Sequence, residues 1–466
     1  MSPQQALAQL WQLADGPPAA LTQATIDGQD PVLPSIFRVG TAAAATAAAT
    51  GLAATELWRQ RTGRPQTTSV DMRAAGIAFR SERYLRINDG PPPNSWDELA
   101  GYYRTGDDDW VQLHTNFPHH RQGFLDLLDC EPTRAAIQTI LDGWQGAAFE
   151  EEAVQRGLCA GLLRSTAQWR QHPHAAVLAN LPLFEIERID AADPQPLPST
   201  ADRPLAGVRV LDLTRVIAGP VCGRKLASHG ATVMRVGAEH LPSIPSLVIE
   251  SGRGKLSTHI DLRQNEGRQQ LADLARQADI FVQGYRPGAI AEHGFSPREL
   301  ARMRPGIICV SLSAFGRLGP WAGRRGFDSI VQTISGIAHA GGRAAGSDGP
   351  KPLPCQALDH ASGFIAAFGA MMALRRRALE GGSWHVRLSL AQTGRWIESL
   401  GRIEGLDHPD PGADDIADLL QTADSPFGTI THVGSPVGLS ETPPHWLRPP
   451  VDLGTHPPVW PELYIP

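Results

Sequence analysis

The sequence predicts an α/β fold: a doubly wound, parallel, Rossmann-like sheet in its second half and a smaller α/β domain before it. Beyond residue 205, short apolar strand segments alternate with helical segments, which is typical of a parallel sheet covered by helices on both faces. A proline-rich stretch, AADPQPLPSTADRPLAG at residues 191–207, separates this region from the residues before it and has the composition of an extended linker.

The elements of the second half follow one another in strict alternation. The predicted strands are 208–213, 232–236, 279–282 and 307–313, and the predicted helices are 222–229, 265–278 and 297–303. The loops after these strands are rich in glycine and proline, and ligands of such sheets bind at the strands' carboxyl ends. The first loop, TRVIAGPVC, lacks the G-x-G-x-x-G fingerprint, which disfavours NAD, although a helix N-terminus there could hold a phosphate.

An internal repeat links the two halves of the chain. Residues 51–76 align without gaps on residues 369–394, at a constant offset of 318 residues. Each copy contains an alanine-rich helix, a glycine after its last turn and then a strand-like segment. The predicted domains are therefore 1–76 (helix and strand, a degenerate repeat of 354–394), 77–190 (small α/β domain), 191–204 (linker), 205–400 (Rossmann-like domain) and 401–466 (extended tail).

Composition excludes several classes of protein. The 466 residues include 42 basic and 48 acidic ones, a net charge of −6 that disfavours nucleic-acid and membrane-surface binding. The five cysteines include no C-x-x-C pair, and the histidines near residues 114–120 and 172–174 lack a helically spaced partner ligand. We therefore expect no metal site, and the absence of a signal-peptide pattern predicts a cytoplasmic protein.

Five segments in order give the second half a family resemblance. They are PLAGVRVLDLTRVIAGP (204–220), SGRGKLSTHIDL (251–262), GYRPGAIAEHG (284–294), SAFGRLGPWAGRRGFDSIVQTISG (313–336) and LPCQALDHASGFIAAFGAMMAL (353–374). Together they resemble the family III CoA-transferases of the CaiB/BaiF type, which include formyl-CoA transferase, carnitine CoA-transferase and α-methylacyl-CoA racemase. The resemblance implies a CoA-binding Rossmann-like domain, acyl-CoA and a small carboxylic acid as substrates, no tightly bound cofactor, and a homodimer.

The resemblance also implies a nucleophile. Asp359 falls where this family carries the aspartate that attacks the thioester, forming an anhydride and then an aspartyl-CoA thioester. A carboxylate suits this chemistry because it is a nucleophile at neutral pH without a base and leaves readily from an anhydride. The residue type alone also fits an N-cap for a helix beginning at His360, because aspartate is a favoured N-cap.

Other positions carried over from the family concern CoA itself. The candidate CoA contacts are Val216, Ile217, Ala218, Lys255, Arg286 and Arg325. Two basic positions of the family are instead Ala238 and Glu292, which weakens the expected phosphate site. These losses keep open a second interpretation, a catalytically weakened CoA-binding or partner protein. Racemisation is disfavoured because Phe327 stands where the family's racemases carry an acid/base histidine.

The first half resembles a later region of the same family. Residues 40–190 are similar to the helix after the nucleophile and to the small domain, so the chain resembles a rearranged tandem. At the repeat offset Asp359 corresponds to Thr41, and only the second copy therefore keeps a carboxylate.

Overall fold

A computed structural model of the protein describes residues 1–199 and 201–462. Its α-helices are α1 (Pro3–Leu13), α2 (Val39–Thr62), α3 (Met72–Ala78), α4 (Pro118–Leu128), α5 (Arg134–Leu141), α6 (Gly146–Gln155), α7 (Thr166–Gln171), α8 (Pro173–Ala179), α9 (Ala218–Ser228), α10 (Pro245–Gly252), α11 (Asn265–Ala275), α12 (Pro297–Met303), α13 (Asp328–Ile334), α14 (Ile337–Ala344), α15 (Ala357–Glu380) and α16 (Leu390–Ser399). Its strands are β1 (Ala24–Asp27), β2 (Thr68–Asp71), β3 (Arg86–Ile87), β4 (Gly101–Arg104), β5 (Trp110–Leu113), β6 (Ala160–Leu162), β7 (Phe184–Asp190), β8 (Arg209–Leu213), β9 (Thr232–Gly237), β10 (Lys255–His259), β11 (Ile280–Gln283), β12 (Ile308–Ser313), β13 (Ser383–Ser389), β14 (Leu420–Ser425), β15 (Gly428–Val433) and β16 (Val437–Leu439).

The largest sheet has the order β10-β9-β8-β11-β12-β13-β7. All neighbouring strands are parallel except β7, which runs antiparallel to β13 at the edge. The chain leaves β8 toward one edge and returns to β11 on its other side, so the strand order reverses between β8 and β11. Ligands of open α/β sheets bind at such a reversal, beyond the carboxyl ends of the strands.

Helices cover both faces of this sheet, which confirms the doubly wound prediction. Val210 of β8 belongs to the core shared with α9 and α15, whereas the next residue, Leu211, belongs to the core shared with α11 and α12. Successive side chains of a strand point to opposite faces, and both are buried here. Helix α10 and strand β10 are additions that the strand-and-helix alternation did not predict.

The small domain is narrower than the predicted 77–190. Strands β4, β5 and β6 form an antiparallel sheet that packs with α4, α5 and α6 around Phe124 and Phe149. Strand β7, by contrast, joins the large sheet, because Phe184 and Ile186 pack against the apolar core beside β13.

The predicted extended tail contains regular structure as well. Strands β14 and β15 form an antiparallel hairpin, β15 pairs with β3, and β16 pairs antiparallel with β2. Ile430 and Val433 of β15 are both buried, each in a different apolar cluster, and the surrounding prolines masked this strand in the sequence. The described residues after β16 form neither helix nor strand.

Helix α15 lies at the centre of the molecule, between α2, α9 and the large sheet. By length and apolar composition it could cross a membrane, but its whole apolar window is buried inside the fold. A buried core helix passes the same test, so this helix is weak evidence for a membrane segment.

Candidate active site

Asp359 lies in the first turn of α15 and is almost completely buried. It is not the N-cap: the helix begins at Ala357, and the capping position is Gln356, whose side chain makes no cap hydrogen bond. The carboxylate that serves this helix end is Asp328, which accepts a 2.9 Å hydrogen bond at Oδ2 from the backbone N–H of Asp359. The side chain of Asp359 is therefore not used in capping.

Asp328 is the first residue of α13 and is held from several directions. It also accepts from the backbone N–H of Leu358 and from the side-chain amide of Gln332. Gln332 in turn accepts a 2.7 Å hydrogen bond from the N–H of Leu353. Asp328 thus satisfies N–H groups at the positive end of α15 and ties the preceding loop to α13.

The two aspartates have raised pKa values. Burial raises the pKa of Asp328 to about 7, although the hydrogen bonds that it accepts oppose the shift. Burial, followed by the charges of Asp328 and Glu82, raises the pKa of Asp359 well above its ordinary value. Asp328 is the better holder of negative charge because three donors point at it, so Asp359 is the carboxyl that keeps a proton toward neutral pH.

The first half of the chain contributes a charged contact to the same helix turn. The side chain of His360 donates from Nε2 to Glu82 Oε2 at 3.0 Å, and its ring stacks on Phe79 with the centroids 5.6 Å apart. Burial alone would raise the pKa of Glu82. The hydrogen bond and the charge of His360 act in the opposite direction and contribute to a net lowering of this pKa. Residues of the first half therefore fix the orientation of the turn that carries Asp359.

A cavity of about 510 Å³ opens beside Asp359, at the reversal of strand order. Its walls are the loops after β8, β11 and β12 together with the start of α4 from the small domain. The predicted site residues found in its lining are Val216, Ile217, Ala218, Arg286, Arg325 and Asp359. The small domain, represented by Phe117, His119 and His120, thus closes the cavity within one chain.

Lys255 is a correction to the predicted site. Its Nζ lies 2.8 Å from Asp212 Oδ2 and donates a 2.7 Å hydrogen bond to the Pro220 carbonyl, and the residue is buried. Strand β10 places this side chain beneath the loop after β8 rather than in the cavity. Lys255 therefore links β8 to the start of α9 and is not available to bind a phosphate.

The loop after β8 has an unusual backbone conformation. Val216 has φ +73°, a left-handed value that is rare for a β-branched residue and marks local strain. Gly219 follows at a close approach, where an added Cβ would lie 2.3 Å from Thr214. The loop thereby brings the start of α9, at Ala218, to the cavity wall, with the positive end of the helix there.

Arginines give this cavity a positive lining, and sequence reasoning found only two of the four. Arg324 forms an ion pair with Glu150, with Nη2 and Oε1 2.9 Å apart. Within the described part of the chain, no carboxylate lies within 4.0 Å of Arg215, Arg286 or Arg325. Burial, and secondarily Arg325, lowers the pKa of Arg215. Arg215 directly precedes Val216 in the loop motif TRVIAGPVC. This position in the sequence could have identified Arg215 as a residue of the cavity wall.

A second, smaller cavity of about 40 Å³ borders Asp359 on another side. Its lining includes His114, which the sequence offered only as a weak metal ligand, and residues that the sequence did not single out: Ser95, Trp96, Asn116, Ile244, Leu247, Ser329 and Gln356. The His114 ring stacks on Phe327 with the centroids 3.8 Å apart, and burial lowers the pKa of His114 to about 3. His114 is therefore neutral at physiological pH, like His120, whose pKa is also lowered to about 3 by burial.

Comparison with known proteins gives matches over part of the chain. Residues 205–400 match the family model described as CoA-transferase family III. Acetyl-coenzyme A transferase nodX of Hypoxylon pulicicidum is 34% identical over 267 residues, 54% of this chain and 44% of that protein. Probable fatty acyl-CoA transferase Rv3272 of Mycobacterium tuberculosis is 34% identical over 196 residues, 39% of this chain and 49% of that protein. A crystal structure of Rv3272 from M. tuberculosis aligns at 30% identity with a TM-score of 0.40, over 42% of this chain and 56% of that one. The chain spans about half the length of the curated relatives it matches.

Proposed function

We propose that the chain acts as a CoA-transferase of family III, whose family model residues 205–400 match. In this proposal it transfers CoA from an acyl thioester to a free carboxylate, with Asp359 as the nucleophile. One observation carries the proposal: the Asp359 carboxyl is free of capping and borders a cavity lined by arginines without carboxylate partners among the described residues. CoA is a polyanion, and such a lining suits its phosphates.

The proposed reaction uses one carboxylate twice. Asp359 attacks the thioester carbonyl, a C–O bond forms and the C–S bond breaks, which gives a mixed anhydride and CoA thiolate. The thiolate attacks the aspartyl carbonyl, releases the first acid and leaves an aspartyl-CoA thioester. The acceptor carboxylate attacks that thioester, forms a second anhydride and frees the thiolate, which then attacks the new acyl carbonyl and releases Asp359.

The surrounding residues have distinct proposed roles. Val216, Ile217 and Ala218 would contact CoA through the backbone, and Arg215, Arg286 and Arg325 would pair with its phosphates. Asp328 is a positioning residue, because it holds the backbone of the turn that carries the nucleophile. The start of α15 would favour negative charge that develops near Asp359.

A catalytically weakened CoA-binding protein is the second candidate, and the pKa of Asp359 favours it. A carboxyl whose pKa is raised well above its ordinary value keeps its proton to higher pH, and the protonated form is a poor nucleophile. Racemisation has no supporting observation, since Phe327 has no proton to exchange.

Substitution of the nucleophile and chemical trapping test the proposal. Asp359→Asn keeps the shape of the side chain, and we expect it to reduce isotope exchange between acyl-CoA and free acid by on the order of 10³-fold or more. Hydroxylamine added with acyl-CoA should label Asp359 of the wild type, detected by peptide mass spectrometry. Asp348→Asn, in an exposed turn, is the matched control. Normal exchange by Asp359→Asn would contradict the role of Asp359 as nucleophile. CoA binding by the wild-type protein without any exchange would favour the second candidate.

The proposal includes a homodimer and a cytoplasmic location, both expected from the sequence. Because the small domain of the same chain contributes to the cavity wall, we expect exchange activity to be independent of protein concentration. Light scattering over a dilution series measures the oligomeric state, and the exchange rate per chain over the same series measures whether activity depends on concentration.

A further inference from the structure

We infer that the acyl group transferred is short and uncharged and lies in the 40 Å³ cavity formed by Ser95, Trp96, His114, Asn116 and Ser329, named here the acyl pocket. The inference rests on the proposed CoA-transferase function and names the substrate class of that site.

The position of Asp359 between two cavities is the first reason. Asp359 borders both the large cavity and the acyl pocket, which share Val216, Ile217 and Phe327. A carboxylate that attacks a thioester touches the carbonyl carbon, from which the sulfur and the acyl chain extend in different directions. With CoA in the large, arginine-lined cavity, the acyl chain points toward the acyl pocket.

The size of the acyl pocket limits the chain length. A cavity needs about 10–15 Å³ of this measure to hold one water molecule, so 40 Å³ holds a group of only a few non-hydrogen atoms. The apolar side chains of Ile244, Leu247 and Phe327 bound it, and Trp96, which is partly exposed to solvent, lines it as well. An acetyl, propionyl or small hydroxyacyl group fits this space, and a fatty acyl chain does not.

Two buried polar atoms call for a polar ligand. In the described residues, Ser329 Oγ and His114 Nδ1 have no hydrogen-bond partner, and both residues are more than nine-tenths buried. Buried polar groups are nearly always paired, and both of these residues line the acyl pocket, so a small polar group held there is a candidate partner. An acyl hydroxyl or carbonyl oxygen within the pocket would supply it.

Charge excludes a second carboxylate on the acyl group. Glu82, Asp328 and Asp359 line the acyl pocket, and among the described residues no arginine or lysine side chain lines it. A succinyl or glutaryl group would place a further negative charge beside them, at a high electrostatic cost in a buried site.

A longer acyl chain could instead extend from the large cavity into a neighbouring apolar one. An apolar cavity of about 200 Å³ shares Tyr285, Pro287, Leu312 and Ser313 with the large cavity, but its lining does not include Asp359. Use of that cavity would reverse the expected chain-length preference.

Exchange of each acyl-CoA with its own isotope-labelled acid measures the preference directly. Acetyl-, lactoyl-, succinyl- and octanoyl-CoA form the panel, and we expect kcat/KM for acetyl and lactoyl to exceed that for the other two by about 100-fold. Preference for octanoyl or succinyl, with Asp359 still labelled by hydroxylamine, would overturn this inference alone. Failure of every thioester to exchange or to label Asp359 would overturn the proposed function and this inference together.

Two serines of the same helix region provide a matched pair. Ser329 and Ser335 are both buried, and Oγ of each has no hydrogen-bond partner among residues 1–199 and 201–462, but only Ser329 lines the acyl pocket. We expect Ser329→Ala to lower kcat/KM for lactoyl-CoA about 10-fold more than for acetyl-CoA, and Ser335→Ala to change neither. Equal effects of the two variants would contradict a ligand role for Ser329.

A gain of function tests the size limit without risk to the core. Trp96 is 41% exposed, so Trp96→Ala should fold normally while enlarging the acyl pocket. We expect the ratio of octanoyl to acetyl kcat/KM to rise at least 10-fold. An unchanged ratio would place the acyl chain elsewhere.

Discussion

Helices α2 and α15 are two versions of one structure in a single chain. They have the same length, and at the offset of 318 residues their first and last residues correspond. Gly63 and Gly381 follow them with φ of +71° and +70°, and each donates its N–H to an arginine carbonyl, that of Arg59 or Arg377. We propose from this agreement that the two segments descend from one duplicated unit.

The beginnings of the two helices differ in the contacts of one side chain although the backbone contact is the same. The N–H of Thr41 donates to Asp30 Oδ2 at 3.1 Å, as that of Asp359 donates to Asp328 Oδ2 at 2.9 Å. In α2 the Thr41 hydroxyl also donates to Asp30, so its side chain is used within the fold. The capping carboxylate is therefore common to both helices, and the proposed chemistry depends on the side chain that Asp359 has in place of Thr41.

The two copies also exchange strands. After the first copy the chain supplies β7, which pairs antiparallel with β13 of the second copy. After the second copy it supplies β16, which pairs antiparallel with β2 of the first. Each copy thus needs the other to complete its sheet, and neither is an independent domain.

Making the second copy resemble the first should have the largest effect. Asp359→Thr recreates the Thr41 arrangement, with a hydroxyl that can donate to Asp328. We expect exchange activity to fall by on the order of 10³-fold or more, because the nucleophile is lost, while the melting temperature changes little. Calorimetry beside the exchange assay checks this, with Thr41→Ser as control; retained activity would show that the difference between the copies is not catalytic.

The capping carboxylates should differ in their influence on pH dependence. Asp359 must be ionised to attack and its pKa is raised, so kcat/KM of the wild type should keep increasing with pH well above the ordinary pKa of a carboxyl. Asp328→Asn removes a neighbouring negative charge but keeps an oxygen to accept the N–H, so the rising limb should move to lower pH. Asp30→Asn, the corresponding change at α2, should leave the profile in place; an unmoved limb in Asp328→Asn would contradict the assigned coupling.

Alanine substitutions of the two glycines that follow the helices should lower stability by different amounts, and this is the smallest of the expected effects. A Cβ at Gly63 would meet nothing within 4 Å, so Gly63→Ala should cost about 1 kcal/mol from its left-handed backbone alone. A Cβ at Gly381 would lie 2.1 Å from the Ala192 carbonyl oxygen in the linker, so Gly381→Ala should cost at least about 2 kcal/mol. Urea unfolding measures the free energy of unfolding of both variants. Equal losses would show that the linker moves away from the added Cβ at little energetic cost.

The sequence predicted the parallel sheet well because its strands are continuous apolar runs with glycine-rich ends. Helix α12 has the predicted bounds, 297–303, and β8 begins one residue later than predicted. The edge strand β7 and the tail strands were missed because their pairing partners lie far away in the chain. The role of Lys255 was predicted wrongly for a similar reason: its motif does not reveal that the side chain forms an ion pair with Asp212, 43 residues earlier in the chain. The acyl pocket could not be predicted, since it joins small-domain residues to α13 by tertiary contact alone.

The packing of α2 against α15 also sets an order of events during synthesis. Helix α2 is almost entirely buried, yet the helix that covers it is translated about 300 residues later. At roughly 5–20 residues per second, α2 waits on the order of 15–60 s without its partner. The nascent first half therefore exposes an alanine-rich apolar helix, and the chain reaches its native form only when the second copy has left the ribosome.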